Sequence, residues 1–280
     1  MSTQQLIYES AVPVSNGRHG DWSVDIGSDF GFSRHVNSMP LMAVEFPPAA
    51  VEYAIIFAGT AEAVMPAVIL GLRAKENLFL QDGGAWMARY VPAFARRYPF
   101  IFSSSEDGKT FTLCIDEACK GVNRDGRGAA MFDAEGKPSA YTQTVLQFLQ
   151  EYQNQFVRTR DFCANLIRHG LLDPMQAQVT TPGGEKFSLS GFLVVNRDRL
   201  KALPAEALAE LAKTDELELV YLHLQSMRNF GAMVERLGPA ATPAVSASEP
   251  APAPAPEAVL ADAPAAAAPE TDVSPAPGLH

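Results

Sequence analysis

Three groups of side chains in this chain are of types that do chemistry. Arg89, Arg96 and Arg97 flank Tyr90 and Tyr98, and guanidinium groups gathered around aromatic rings bind carboxylates or phosphates through forked hydrogen bonds. Neighbouring arginines on one helix point about 100° apart, so only one of Arg96 and Arg97 can face such a pocket, with His35 a further group to line it. The competing reading places the tyrosines in the core and pairs the arginines with Asp116 and Glu117. A second group is His19-Gly20-Asp21, an H-x-D pair of the kind that begins a facial triad for non-haem iron, with His35, His169 or His223 as the distal ligand. It works from a strand, where i and i+2 share a face. Otherwise it is a loop tripeptide and no cofactor is expected. The third is His223, Ser226 and Asn229, at i, i+3 and i+6 of one helix. A His–Ser hydrogen bond can make a nucleophile, but it also needs an orienting acid and an oxyanion site. Without them these residues are a polar edge that satisfies loop carbonyls.

Asp116 and Glu117 end an apolar run, where carboxylates serve either acid/base chemistry or turn capping. Cys114, Cys119 and Cys163 have no second Cys or His pair at zinc spacing and are expected as buried packing in a reduced interior. The chain has no G-x-S-x-G elbow, phosphate-binding P-loop, dinucleotide fingerprint or H-E-x-x-H helix.

Composition narrows the partners. The net charge is −10 over 280 residues and the cations form no stripe, which argues against nucleic acid, since phosphate binding draws on clustered Lys and Arg. Half of that charge lies in Glu249, Glu257, Asp262, Glu270 and Asp272, in a stretch from 238 to the end without Lys or Arg. The same stretch contains the alternation Pro250-Ala251-Pro252-Ala253-Pro254-Ala255-Pro256, which favours extended conformers and buries no core. Residues 238–280 are therefore expected to form a disordered acidic tail, and 1–237 the folded domain. The first residues lack the charged and apolar regions of a secretory signal, and no apolar run reaches the roughly 20 residues that span a bilayer. A soluble, cytoplasmic protein is expected.

The elements that must position these residues are legible in part. Residues 22–26 alternate as a half-buried strand, and brief apolar runs at 53–57, 67–72, 78–80, 100–102 and 111–115, separated by Gly, Pro and Asp-Gly signals, read as strands of one mostly antiparallel sheet. Residues 86–97 look helical, with Pro92 dividing them. Ser139 caps a helix running to Gly170, whose seam Val145, Leu149, Tyr152, Phe156, Thr159, Cys163 and Leu166 is spaced 4, 3, 4, 3, 4, 3. A hairpin around 181–184 joins 178–179 to 187–189, with 191–195 a further strand. Pro204 opens a short helix to Leu211. Thr214 caps a final helix with the seam Leu217, Val220, Leu224, Met227, Gly231 and Val234. Because strand and helix runs are segregated, the class is α+β: a mostly antiparallel sheet with two long amphipathic helices.

Four segments in order, Tyr90-Val91-Pro92-Ala93-Phe94-Ala95-Arg96-Arg97-Tyr98-Pro99-Phe100, Thr112-Leu113-Cys114-Ile115-Asp116-Glu117, Gly191-Phe192-Leu193-Val194-Val195, and Tyr221-Leu222-His223-Leu224-Gln225-Ser226 with Asn229, resemble the bacterial SapC family from about Asn16 to Leu237. The resemblance implies an association with bacterial surface-layer proteins and peptide transport, and it carries no reaction or cofactor. The expected function is an accessory protein that engages a protein or peptide partner. The alternative is an enzyme with a metal at His19 and Asp21 or an anion at Arg96 or Arg97.

Overall fold

Alternation along two central strands sets the architecture. A computed structural model describes residues 6–60, 63–105, 108, 110–180, 184 and 186–237, apart from the side chains of 179 and 180. The acidic stretch 238–280 and most of the turn at 181–184 lie outside them. In β4 (Ile55–Thr60) and β5 (Ala63–Ile69), Ile55, Phe57, Val64 and Val68 face one apolar cluster, while Ile56, Ala67 and Ile69 face another. Successive strand side chains point to opposite faces, so a strand covered on both sides reads as an unbroken apolar run.

These two strands are the middle of a five-stranded antiparallel sheet in the order β10 (Leu172–Thr180), β11 (Lys186–Val195), β4, β5, β3 (Ser38–Pro40). The antiparallel pairing agrees with the sequence, but the strands are divided among three sheets. Five strands form the central sheet. A second runs β1 (Ala11–Pro13), β7 (Phe111–Asp116), β6 (Phe100–Ser104), and a third β8 (Val122–Asn123), β2 (Ser23–Val24), β9 (Ala129–Ala130). They share their cover: Val24 of β2 packs in one cluster with Phe100 of β6 and Ile115 of β7, while Ile101 and Cys114 of the second sheet join the cluster under β4 and β5. Residues 78–80 supply only an isolated bridge, Leu80 to Trp86. β11 runs through Gly191, whose φ of 83° is open to glycine at little cost, so the hairpin strand and the 191–195 strand are one element.

The helices are α1 (Asn16–His19), α2 (Phe46–Ala49), α3 (Ala93–Arg96), α4 (Ala140–Arg168), α5 (Arg197–Lys201), α6 (Ala205–Lys213), α7 (Glu216–Ser226) and α8 (Asn229–Arg236). α4 has the termini its sequence specifies. The Ser139 hydroxyl accepts the Thr142 N–H at 3.2 Å, and at the other end the Leu171 N–H reaches the Leu166 carbonyl and the Gly170 N–H the Ile167 carbonyl, with Gly170 at φ 61°. That is the glycine-closed helix end that satisfies the last carbonyls. Leu149, Thr159, Cys163 and Leu166 of its seam are buried, and the helix packs on β5 and β6. The second long helix is instead two. α7 starts after Asp215, at φ 61°, without a cap from Thr214, and ends at Ser226, with Met227 and Arg228 between it and α8. The break has a cause: Ser226 and Asn229 turn their side chains onto backbone groups of 50–55, and following those fixed points bends the chain. In the 86–97 stretch only α3 is helical, ahead of a cis Tyr98–Pro99 peptide.

Candidate functional site

β11 touches β4 at one register pair, Leu193 opposite Phe57. Continued antiparallel, the next pair on that side is Val195 and Ile55, and there the strands have parted. His223 of α7 fills the gap: its Nδ1 donates to the Ile55 carbonyl at 2.9 Å, and its Nε2 accepts the Val195 N–H at 3.0 Å. These bonds fix the neutral Nδ1–H tautomer, and burial holds the ring down to about 4 against the pull of the Ile55 carbonyl. The Ser226 hydroxyl accepts the Ile55 N–H at 3.0 Å and donates to the His223 carbonyl at 2.7 Å. Asn229 Nδ2 donates to the carbonyls of Ala50 and Tyr53 at 2.9 and 2.8 Å. All three side chains are buried. His223 and Ser226, which share a face at i and i+3, replace a missing stretch of sheet ladder, while Asn229, which one continuous helix would turn off that face, is brought alongside by the break and holds the turn ahead of β4.

The arginine group separates as adjacent helical residues must. Arg97 points inward, 6% exposed, its guanidinium 4.2 Å from the Phe94 ring centre, 4.9 Å from that of Tyr152 and 5.7 Å from that of Tyr8. Burial pushes the Tyr8 phenol up to about 12, with the Arg97 charge pulling it down. Arg96 is exposed, lies over the Tyr90 and Phe148 rings, and donates from Nε to the Val91 carbonyl at 3.0 Å. The expected partners of the arginines are otherwise engaged. Glu117 takes a two-pronged contact from Arg18 at 2.6 and 2.7 Å, and that contact holds its carboxyl below the usual range. Asp116 accepts three backbone N–H groups, of Glu9, Ser10 and Ala118.

Asp116 is wholly buried and joins the chain ahead of β1 to the end of β7. Asp116→Ala strands those three donors, a loss of about 2 kcal/mol locally. The expected result is amide exchange at residues 9–12 faster by roughly thirtyfold with α4 unchanged, measured by hydrogen–deuterium exchange. Equal protection in the variant refutes this.

His19 is buried, with its ring edge-on to Trp22 at 4.8 Å. Nδ1 accepts the Ser15 N–H at 3.2 Å, and Nε2 lies 3.1 Å from Glu117 Oε1. The strand geometry assumed for the H-x-D pair does not occur. His19 closes the helical turn α1 and Gly20 keeps a helical conformation, so i and i+2 point apart, and Asp21 is exposed where His19 is buried. His35 is exposed in a separate turn. Among the described residues no group of three His, Cys, Asp or Glu side chains is placed to hold a metal ion. The three cysteines are free and buried, and burial raises each thiol.

Two features escape the motif reading. Glu45 is 3% exposed, and its carboxylate accepts the N–H groups of Met42 and Ala93 and the Tyr90 hydroxyl at 2.8, 2.7 and 2.7 Å, tying α3 and the loop before it to the start of α2. A signal exists: a single acid in the run Leu41-Met42-Ala43-Val44-Glu45-Phe46 ahead of Pro47-Pro48. The other is a groove of about 540 Å³ between one face of α4 and the corner joining α6 to α7.

No helix among the described residues is long and apolar enough to cross a membrane. No curated protein matches the chain, and no solved structure does. The family model of SapC matches residues 14–233, the span that contains the His223 bridge, the Glu45 anchor and every strand of the three sheets except β1. The chain thus belongs to the SapC family.

Proposed function

We propose that this SapC-family chain is a non-enzymatic accessory protein that engages a protein or peptide partner from the cytoplasm, in surface-layer or peptide transport. One observation carries the reading. The side chains best suited to chemistry are spent on the fold: both nitrogens of His223, the hydroxyl of Ser226 and the carboxylates of Glu45 and Asp116 are hydrogen-bonded to backbone groups, each to at least one in a distant segment. A general base or nucleophile needs a lone pair or proton to offer to a substrate. The groove beside α4, by contrast, presents charged and apolar side chains to solvent. The exposed guanidinium of Arg96 between two rings favours the second reading, a small anion site.

The test is selection of peptides from a random phage library on the immobilised full chain. Enriched sequences that also bind as synthetic peptides, equally to wild type, Asp21→Ala and Arg96→Ala, support the accessory role. It is overturned by stoichiometric metal that Asp21→Ala removes, or by small-molecule turnover that Arg96→Ala abolishes.

A further inference from the structure

The groove beside α4 has a charge arrangement that its own residues leave unmatched. Asn154, Val157, Arg158, Asp161 and Phe162 recur at three- and four-residue intervals, so they form one stripe of α4, and across from it lie Lys213 to Glu216 with Leu219. Phe162 and Ala43 lie beneath it, 1% and 2% exposed, so the apolar surface open in the groove is that of Val157, 41% exposed, and the partly exposed Leu219. A volume of about 540 Å³ falls among clefts that hold small ligands or a few side chains.

The acids on the walls divide into two kinds. Asp161 lies 3.5 Å from Arg160, and Glu216 accepts from the Asn165 side-chain amide on both carboxylate oxygens, at 2.9 and 3.0 Å. The side chains of Arg158, Lys213 and Asp215 make no ion pair or hydrogen bond among the described residues. Two cations and one carboxylate are thus left uncommitted around the exposed apolar surface of Val157 and Leu219. The carboxylate also sits where the backbone resists it: Asp215 has φ 61°, a left-handed corner that glycine would make without strain.

We propose that this groove is a peptide-binding site for a short segment of mixed charge, with an aliphatic side chain against Val157 and Leu219, a carboxylate between Arg158 and Lys213, and a basic group at Asp215. The proposal rests on the accessory reading and assigns it a place. Charge complementarity selects this occupant. A purely acidic segment leaves Asp215 opposed by like charge, and a purely basic one meets two cations.

The test is an amide chemical-shift titration of the full chain with the blocked tripeptide acetyl-Lys-Leu-Glu-amide. Shifts confined to residues 154–162 and 213–219 are expected. Replacing the central leucine by glycine, or both charged side chains by glutamine, should weaken binding about tenfold, as should Arg158→Glu with Lys213→Glu. These exposed positions leave the fold intact, which the dispersion of the remaining resonances checks. Equal affinity of the double variant, or shifts at another surface, overturns the groove assignment and leaves partner binding standing. No shift at about 10 mM peptide overturns the groove assignment too. If the phage selection also yields no binder, the accessory reading falls with it.

Discussion

Replacing Glu45 by Ala is expected to destabilise the protein by about 3–5 kcal/mol, the largest effect of any single polar substitution considered. Three donors converge on this carboxylate, two of them backbone N–H groups that have no other route to water. Each donor left unpaired in the interior costs about 1–3 kcal/mol. For a domain of this size the loss corresponds to a fall in midpoint on the order of 10 °C. Glu45→Gln is the informative companion. Its amide oxygen keeps the Ala93 and Tyr90 bonds, but its amino group faces the Met42 N–H, donor against donor. About half the loss should return. Thermal unfolding of the two variants decides this, and a fall below about 1 kcal/mol for Glu45→Ala would sink it. The same burial pushes the Glu45 carboxyl up, against the stabilising pull of the Ala93 and Met42 N–H groups. The ionised group is therefore held at some cost, and Glu45 by itself makes the fold lose stability as pH rises through its raised value.

Acidification is expected to weaken the fold through His223 between pH 6.5 and about 4. The folded-state value lies below the ordinary 6.5, so in that window the unfolded chain binds a proton that the folded one refuses. The contribution is complete above 6.5 and is lost as pH falls toward 4. The gap corresponds to about 3 kcal/mol. Protonation also has a direct structural consequence: a charged imidazole has donors on both nitrogens, and Nε2 then confronts the Val195 N–H. Glu45 and Glu216, both raised by burial, contribute with the opposite sign, and Glu117, held down by Arg18, adds loss below its ordinary 4.5. Wild type alone therefore reports a sum. His223→Gln isolates the term, because a glutamine side chain carries an acceptor and a donor without titrating. Urea unfolding from pH 7 to pH 4 should show a shallower decline in the variant, its curve approaching that of wild type at the acid end. Parallel profiles would show that His223 does not titrate in this window.

The sequence by itself determined what depends on neighbours along the chain. Ser139, the 4, 3 seam and Gly170 specified α4 from cap to cap, since capping, periodicity and a left-handed terminus are local properties. The order of strand and helix runs gave the α+β class, and four linked segments gave the family. The divergence of Arg96 and Arg97 also followed from helix geometry alone, although which of them turns inward did not.

Tertiary structure decided the rest, because it depends on segments far apart in sequence. The seam from Leu217 to Val234 has an unbroken helical period, yet backbone groups near residues 50–55 need the Ser226 and Asn229 side chains, and the chain bends to bring them there. His223, Ser226 and Asn229 look alike as a latent nucleophile and as a brace. Only the parting of β11 from β4 at Val195 and Ile55 distinguishes the two, by supplying unpaired ladder groups for the side chains to fill. His19 and Asp21 turn on a few dihedral angles: in a strand they share a face, in the helical turn that forms they do not. The groove beside α4 is invisible to any motif, since its walls meet only when residues 154–162 and 213–219 fold against each other, and a charge left unmatched there is a property of two surfaces, not of either segment.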